Sequence, residues 1–331
     1  THCISSAASD VYKRQFLHVL TAEEANYLQR LASQSPLQIP LLIGIDAIHG
    51  NAQVAGCTVY PTSIGQASTF DPELVERICE ETAAEMRATG SQWTFNPNVE
   101  VARDPRWGRV GETFGEDPYL VSVMGAASVR GYQGRDFSEP GRVLSCVKHF
   151  VGGSQPVNGT NGSPTDLSER TIREIFFPPF KAGIDAGAYS MMTAHNELNG
   201  IPCHSNRWLM EDVVRGEWGF EGFIVSDWMD VEHIHDLHRT ATDNKDAFRQ
   251  SVNAGMDMHM HGPQFYEKVI ELVKEGAVSE SAVNRACLKI LTAKFKLGLF
   301  ENPYTDTEQT SKSVFTEKHR ATAYEAAVIS V

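Results

Sequence analysis

The feature that most constrains the fold is the alternation of short, continuously apolar segments with longer amphipathic ones. Six apolar segments predict strands, at residues 39–46, 93–101, 143–151, 189–195, 223–228 and 256–260. Amphipathic segments predict helices at residues 21–34, 71–90, 118–133, 167–187, 206–219, 245–255, 264–275, 279–297 and 318–330. Strands that are apolar on both faces are typical of parallel sheets covered by helices. The alternation therefore predicts an α/β fold with a parallel sheet.

Two architectures share this pattern, a doubly wound sheet and a (β/α)8 barrel of the TIM type. A doubly wound dinucleotide-binding sheet requires a glycine-rich phosphate loop after its first strand. The first predicted strand instead ends in GIDAIHG (44–50), with Asp46 where those glycines belong. The sequence therefore favours the barrel over residues 16–304, with its first strand missing before Phe16.

The two ends of the chain are expected to lie outside this domain. Residues 5–15 read SSAASDVYKRQ, which matches the translation of an adapter used to prepare DNA sequencing libraries. Residues 1–15 are therefore expected to be adapter-derived rather than native. The predicted helix at 318–330 has an apolar face that needs a packing partner, so more chain is expected to follow it in the parent protein.

Composition excludes several classes of function. The net charge of −13 leaves no electrostatic footprint for nucleic acid or an anionic membrane. No run of about 18 apolar residues predicts a membrane-spanning helix. The six cysteines are widely spaced and contain no C-x-x-C pair, so neither a zinc site nor a disulfide framework is indicated. A small neutral substrate fits this chain best, and no cofactor is indicated.

Polar residues follow the predicted strands where each strand ends. In a barrel these positions share one rim, where active sites lie. A long polar loop at 103–118, which contains Arg109, lies between the second and third predicted strands. The strand-end pairs are Asp46 and His49, Lys148 and His149, His195 and Asn196, Asp227 and Trp228, and His259 and His261.

Asp227 is the most informative of these residues, because a lone carboxylate follows the apolar strand FIVS. Such a carboxylate can act as a nucleophile, a general base, a metal ligand or simply a helix N-cap. Arg109, Lys148 and His149 supply donors that keep a carboxylate ionised and can hold sugar hydroxyls or phosphates. The indole of Trp228 suits the face of a pyranose ring, although a tryptophan at this position could equally belong to the hydrophobic core.

Metal catalysis is the main alternative chemistry. His259 and His261 form an H-x-H pair, and Asp46, His149 and His195 are expected nearby. Metal-dependent barrel hydrolases carry H-x-H early in the chain and their aspartate late. The order is reversed here, so no metal ligand is assigned.

Six motifs together resemble family 3 glycoside hydrolases of the β-glucosidase type. They are GIDAIHG (44–50), RDPRWGRVGETFGEDP (103–118), VKHF (147–150), MTAHNELNGIPCH (192–204), GFIVSDW (222–228) and AKFKLGLFENP (293–303), in the family's order. The resemblance implies a retaining exo-glycosidase that releases terminal β-glucosyl residues by double displacement. It also implies a small carbohydrate substrate and a periplasmic or extracellular location.

The resemblance also implies a role for each motif residue. An aspartate at position 46 is typical of glucosidases, whereas xylosidases tend to carry glutamate. The implied roles are nucleophile for Asp227, binding of the terminal sugar's hydroxyls for Asp46, Arg109, Lys148 and His149, and an aromatic wall of the neighbouring subsite for Trp228.

Two departures from the family pattern stand out. His195 replaces a tyrosine that donates a hydrogen bond to the nucleophile, which adds a pH dependence near neutrality. The string KHFVGGS (148–154) lacks the catalytic histidine loop of single-domain members. The parent is therefore expected to be of the two-domain type, whose acid/base glutamate comes from an α/β sandwich domain that this chain lacks. The resemblance then implies that residues 305–331 form a C-terminal helical linker into that domain. Two alternatives stay open: a β-xylosidase or mixed exo-glycosidase, and an inactive sugar-binding fragment.

Overall fold

The computed structural model describes residues 15–331, so the segment expected to be adapter-derived lies outside the described residues except for Gln15. The strands, in chain order, are β1 (Gln15–Leu17), β2 (Leu42–Ile45), β3 (Trp93–Thr94), β4 (Cys146–Phe150), β5 (Ser190–Thr193), β6 (Glu197–Leu198), β7 (Ile201–Pro202) and β8 (Phe223–Val225). The helices are α1 (Ala22–Ser33), α2 (Ser63–Ser68), α3 (Pro72–Thr89), α4 (Pro118–Gln133), α5 (Phe177–Asp185), α6 (Asp230–Asp236), α7 (Asn244–Ala254), α8 (Phe265–Lys274), α9 (Glu280–Lys296), α10 (Thr307–Ser313) and α11 (Glu317–Ile329).

The strands pair in parallel and follow one another in chain order. One sheet has the order β1-β2-β3 and another β4-β5-β8. Parallel bridges from Trp93 to Leu144 and from Asn98 to Lys148 connect the two, and a bridge from Val225 to Met258 extends the second. The short antiparallel pair β6-β7 lies in the connection after β5. The predicted parallel α/β fold is confirmed.

Both faces of the parallel strands are buried. Ile45, Val147, Met191 and Ile224 belong to one apolar cluster, which the surrounding helices complete. The strand neighbours of these residues, such as Met192 and Val225, belong to a second cluster. Successive strand side chains point to opposite faces. Because both faces of the strands are buried, their sequences are continuously apolar.

Several helices begin and end where their sequence signals indicate. The side chain of Asp71 accepts a hydrogen bond from the backbone N–H of Leu74, and Pro72 occupies the first position of α3. The helix ends at Gly90, whose φ of 101° is the left-handed conformation that glycine adopts without a steric cost. Thr21 caps α1 in the same way as Asp71 caps α3.

The prediction of a missing first strand is wrong, because β1 pairs in parallel with β2 from Gln15 to Leu17. An extended segment with free N–H groups can complete the open edge of β2. Two predicted strands are also shorter than expected. The segment 93–101 forms a strand only over Trp93–Thr94, since Pro97 has no N–H to donate, and the segment 256–260 contributes a single bridge.

Two predicted helices contain π-helical turns. Ile172–Phe176 is π-helical directly before α5, where Pro178 and Pro179 remove two helix hydrogen-bond donors. The predicted helix at 206–219 is π-helical over Trp208–Glu217.

Residues 305–331 pack against α3 instead of extending away from it. The buried carboxylate of Glu85 accepts hydrogen bonds from the backbone N–H of Phe315 at 2.8 Å and from His319 Nδ1 at 2.7 Å. Glu81 accepts another from Thr322 at 3.0 Å. The role of this segment as a linker stays a prediction. Across residues 15–331, the helices are too short or too polar to traverse a bilayer.

Candidate active site

A cavity of about 150 Å³ lies at the carboxyl ends of the parallel strands. All the residues that the sequence assigned to the site line it together: Asp46, Arg109, Lys148, His149, His195, Asp227 and Trp228. Leu17, His18, Phe95, Met192 and Met260 complete the wall. The grouping follows from the parallel sheet, because strand ends from distant parts of the sequence meet at one edge.

Other strand-end residues lie elsewhere. His49 forms a hydrogen bond with the backbone carbonyl of Tyr60, and His259 is buried beside Glu232. Asn196 is buried and donates to the backbone carbonyl of Glu197. These side chains serve the local packing of the strand ends and do not line the cavity.

Asp227 lies two residues beyond β8, with its side chain 13% exposed. Its Oδ1 accepts a hydrogen bond from the backbone N–H of Trp228 at 2.7 Å. Its own N–H donates to His204 Nε2 at 3.0 Å, which fixes the backbone at the end of the strand. Burial raises the pKa of Asp227, whereas the nearby charge of His195 opposes that rise.

Two imidazole rings approach the same oxygen of Asp227. His195 Nε2 lies 3.0 Å from Oδ2, and His149 Nε2 lies 3.5 Å from it. The two rings are stacked, with centroids 5.9 Å apart. The Nδ1 atom of each ring contacts a buried carboxyl group, which belongs to Asp230 for His195 and to Glu100 for His149.

The two rings differ in charge. Burial opposes a charge on His195, but the hydrogen bond to Asp230 and the charges of Asp230 and Asp227 outweigh burial and raise the pKa of His195 to about 9. Burial and the nearby cations Arg109 and Lys148 hold the pKa of His149 well below its usual range. His195 is therefore an imidazolium at neutral pH, and His149 is neutral.

Hydrogen-bond partners fix which nitrogen of His149 carries its proton. Arg109 Nη2 lies 3.2 Å from His149 Nε2, and a guanidinium can only donate. Nε2 therefore accepts, and Nδ1 carries the proton and donates to Glu100 Oε2 at 2.8 Å. Burial raises the pKa of Glu100 to about 8.

Lys148 and Asp46 form an ion pair on the opposite wall. Lys148 Nζ donates to Asp46 Oδ1 at 2.8 Å, and His18 Nε2 lies 3.3 Å from Asp46 Oδ2. Burial disfavours the charge on Asp46, but Lys148 and His18 outweigh it and hold the pKa of Asp46 well below its usual range. Arg109 makes two hydrogen bonds of 2.9 Å to Glu112, so its guanidinium is held in a fixed plane at the cavity.

Trp228 lies at the mouth of the cavity, with half of its surface exposed. Its indole stacks on the ring of His261, with centroids 3.8 Å apart and an interplanar angle of 9°. The pair presents a flat face to solvent beside the cavity, which suits an apolar or pyranose ring.

His195, Asp227 and Asp230 are close enough to be considered as metal ligands. His195, however, directs Nδ1 toward Asp230 at 2.7 Å and Nε2 toward Asp227 at 3.0 Å. The two nitrogens of one ring point in opposite directions, so a single ion cannot bind both. The group is an aspartate–histidine–aspartate array.

Sequence reasoning missed four residues that shape the site. Glu100 and Asp230 hold the two imidazole rings, His204 holds the backbone of Asp227, and His18 contacts Asp46. His204 and Asp230 stand within or directly beside the motifs 192–204 and 222–228, so proximity to these motifs was an available signal. Nothing in the sequence marked His18.

The fold and the site define a class: an α/β protein with a carboxylate-centred polar cavity at the carboxyl ends of parallel strands, where enzymes of such folds bind substrate. The chain belongs to glycosyl hydrolase family 3, because residues 12–293 match the model of its N terminal domain. The resemblance drawn from the motifs is confirmed.

Three relatives illustrate the match. A β-xylosidase from Formosa agariphila is 38% identical over 324 residues, which cover 93% of this chain and 44% of that protein. A periplasmic β-glucosidase from Salmonella typhimurium is 36% identical over 321 residues, 95% of this chain and 41% of that protein. The crystal structure of a β-glucosidase from Listeria innocua in complex with glucose superposes with a TM-score of 0.91 at 37% identity, covering 96% of this chain and 43% of that one. The chain thus spans less than half the length of these relatives.

Proposed function

We propose that this chain provides the sugar-binding and nucleophile half of a retaining exo-β-glucosidase, on strands arranged as a (β/α)8-type barrel. The observation that carries the proposal is the setting of Asp227. A carboxylate with one oxygen paired to an imidazolium faces a small cavity that several other charged and hydrogen-bonding side chains also line. Such a carboxylate can attack an anomeric carbon as the glycosidic C–O bond breaks, so that a covalent glycosyl-enzyme forms and the aglycone leaves with the electron pair of that bond.

The cavity offers a sugar both donors and acceptors. Lys148 and Arg109 donate, and Asp46 accepts on the same wall. Each buried hydroxyl of a sugar needs such a partner, because an unpaired buried polar group costs about 1–3 kcal/mol. We assign hydroxyl binding to these three residues together with His149, and the neighbouring subsite to Trp228.

The acid/base carboxyl is assigned to a part of the enzyme outside residues 15–331. A retaining glycosidase needs a second carboxyl group about 5–5.5 Å from its nucleophile. Among the described residues that line the cavity, Asp46 is the other carboxylate, and its pairing with Lys148 makes it a poor proton donor. The chain alone is therefore expected to lose about 10²–10⁴ of the rate on natural glucosides.

Glucose is favoured over xylose, although relatives of both names match this chain. Support comes from Asp46, the residue type typical of glucosidases in this family, and from the high structural similarity to a β-glucosidase in complex with glucose. A β-xylosidase is the second candidate, because the Formosa relative with 38% identity carries that name.

Incubation with 2,4-dinitrophenyl 2-deoxy-2-fluoro-β-glucoside tests the proposal, because its leaving group departs without acid assistance. Intact-mass and peptide mapping should show one adduct on Asp227. The matched xyloside should react more slowly, and D227N, the matched control, should show no adduct. Faster labelling by the xyloside would support the β-xylosidase instead. A cooperative thermal unfolding transition without an adduct would contradict the assignment of Asp227.

A further inference from the structure

Asp230 is a buried carboxylate that does not line the cavity. It is the first residue of α6, its side chain is 2% exposed, and it contacts three imidazole rings. Its Oδ2 lies 2.7 Å from His195 Nδ1, its Oδ1 lies 2.8 Å from His233 Nδ1, and His204 Nε2 lies 3.6 Å away. Of these rings, His195 contacts the carboxylate of Asp227, whereas His204 accepts a hydrogen bond from its backbone N–H.

Without an intervening charge, Asp230 would act against Asp227. Two carboxylates near each other in a buried site disfavour ionisation of both, and burial already disfavours it for Asp227. A nucleophilic carboxylate must be ionised before it attacks. The ring of His195 lies between the two carboxylates, 2.7 Å from one and 3.0 Å from the other.

The protonation of His195 decides whether this arrangement is favourable. A neutral ring that donates from Nδ1 to Asp230 would direct the lone pair of Nε2 toward Asp227 Oδ2, which is repulsive. A doubly protonated ring presents positive charge to both carboxylates. A neutral ring that donates from Nε2 to Asp227 would instead direct the lone pair of Nδ1 toward Asp230. Both contacts are therefore favourable together only while the ring is doubly protonated.

Other charged groups around His195 do not provide this proton affinity. Arg109 opposes a charge on His195, and the stacked ring of His149 is neutral. Burial lowers the pKa of His204 to about 4, and its Nε2 accepts the N–H of Asp227, so that ring is neutral as well. His238 meets only the backbone carbonyl of His195, at 3.1 Å. Asp227 and Asp230 are the two anions that stabilise the imidazolium.

We propose that Asp230 is a positioning residue that acts through His195, holding the imidazolium against Asp227 so that the carboxylate stays ionised for attack. The proposal rests on the proposed function of Asp227. Asp230 is therefore expected to favour attack by Asp227 only when residue 195 is a histidine. With a tyrosine at position 195, which can donate without a second carboxylate, Asp230 becomes only a nearby like charge.

The experiment is a double-substitution cycle with D230N, H195Y and D230N/H195Y, read as the rate of Asp227 labelling by the dinitrophenyl fluoroglucoside between pH 5 and 9. D230N alone should slow labelling at pH 7 at least about tenfold, the factor that one pKa unit represents. In the H195Y background the same substitution should leave the rate unchanged or raise it. The control D236N makes the same change at the exposed end of α6 and should label like the wild-type chain.

A purely structural role for Asp230 predicts a similar loss in both backgrounds, and that result would overturn the proposal. A second measurement does not depend on labelling. In ¹⁵N-histidine NMR at pH 7.5, His195 should be doubly protonated in the wild-type chain and singly protonated in D230N. A singly protonated ring in the wild-type chain would refute the inference even if Asp227 is labelled. If the wild-type chain acquires no adduct, the proposed function fails, and the NMR result alone decides whether Asp230 controls His195.

Discussion

The ion pair between Asp46 and Lys148 offers the sharpest test of the energetics of the cavity. At 2.8 Å and an effective dielectric constant of about 20, the Coulomb attraction is about 6 kcal/mol. Burial of the two charges offsets much of this attraction. The Asp46 side chain is 27% exposed and that of Lys148 only 4%, so the lysine is the charge that most needs its partner.

We expect D46N to destabilise the fold more than K148M. D46N leaves a buried ammonium without its carboxylate and should cost about 4 kcal/mol. K148M leaves Asp46 beside His18 and partly in water, and should cost about 2 kcal/mol. The double substitution D46N/K148M should cost about 3 kcal/mol, which gives a coupling free energy of about 3 kcal/mol. Urea unfolding at pH 7, monitored by tryptophan fluorescence, measures each value.

The pH dependence follows from the directions of the shifts. The pKa of Asp46 is lowered in the folded state, so its contribution is complete above about pH 5 and is lost as pH falls through the unfolded and then the folded pKa. The pKa of Lys148 is raised despite burial, so its contribution is lost only as pH rises above about 10.4. Asp46 also raises the pKa of His18, and that contribution is present below the unfolded pKa of histidine and lost as pH rises through the folded pKa. The stability difference between wild type and the double variant should therefore be constant from about pH 5 to 6 and should reach a smaller constant value at higher pH, up to about pH 9.

An exposed pair of the same residue types provides the control. Lys181 and Asp185 form an ion pair one turn apart on α5, and the cycle D185N, K181M and D185N/K181M should give a coupling of about 0.5 kcal/mol or less. A coupling below about 1 kcal/mol for Asp46 and Lys148, or a larger loss for K148M than for D46N, would refute the reasoning.

Three further outcomes are expected. G153A places a methyl group 2.9 Å from Glu100 Oε1, so the carboxyl group must move, and the affinity for glucose measured by calorimetry should fall at least about tenfold. An unchanged affinity would contradict this expectation. G111A, whose added methyl group meets open space, is the control. E85Q weakens charge-assisted hydrogen bonds, so it should lower the free energy of unfolding by about 1.5–3 kcal/mol and accelerate hydrogen exchange in residues 317–329. Equal exchange rates in the variant and the wild type would show that other contacts hold α11. W228A should leave the melting temperature within about 2 °C of wild type, because the indole is half exposed, but should raise the concentration of dinitrophenyl fluoroglucoside that gives half-maximal labelling. An unchanged concentration would contradict the assignment of Trp228 to the neighbouring subsite.

The sequence was a good guide to the cavity because parallel strands impose a simple rule. Residues at or just beyond the carboxyl ends of β2, β4, β5 and β8 must meet at one sheet edge, and polar residues at those positions could be recognised one strand at a time. Strand lengths were harder to predict. The apolar segment at 93–101 is buried throughout, but it is a regular strand only over Trp93–Thr94 and meets β4 again through the bridge from Asn98 to Lys148, beyond Pro97, which has no N–H.

The residues that hold the cavity side chains without lining the cavity could not be predicted in the same way. Glu100 and Asp230 lie at positions where an acidic residue has several ordinary uses, and only their distances to His149 and His195 reveal what they hold. The protonation states of the two rings are also invisible in sequence. His149 and His195 are the same residue type beside the same carboxylate oxygen, yet their surroundings shift their pKa values in opposite directions.

The attachment of α11 to α3 places the end of the packed structure well beyond the end of the family-model match. The family match ends at residue 293, yet Glu81 and Glu85 hold buried hydrogen bonds to Thr322, Phe315 and His319. A chain that ended at the end of the family match would leave Glu81 and Glu85 on an uncovered face of α3. Screening for soluble expression should therefore choose end points beyond α11, and a failure of shorter versions would reflect lost helix packing rather than a defect in the catalytic half.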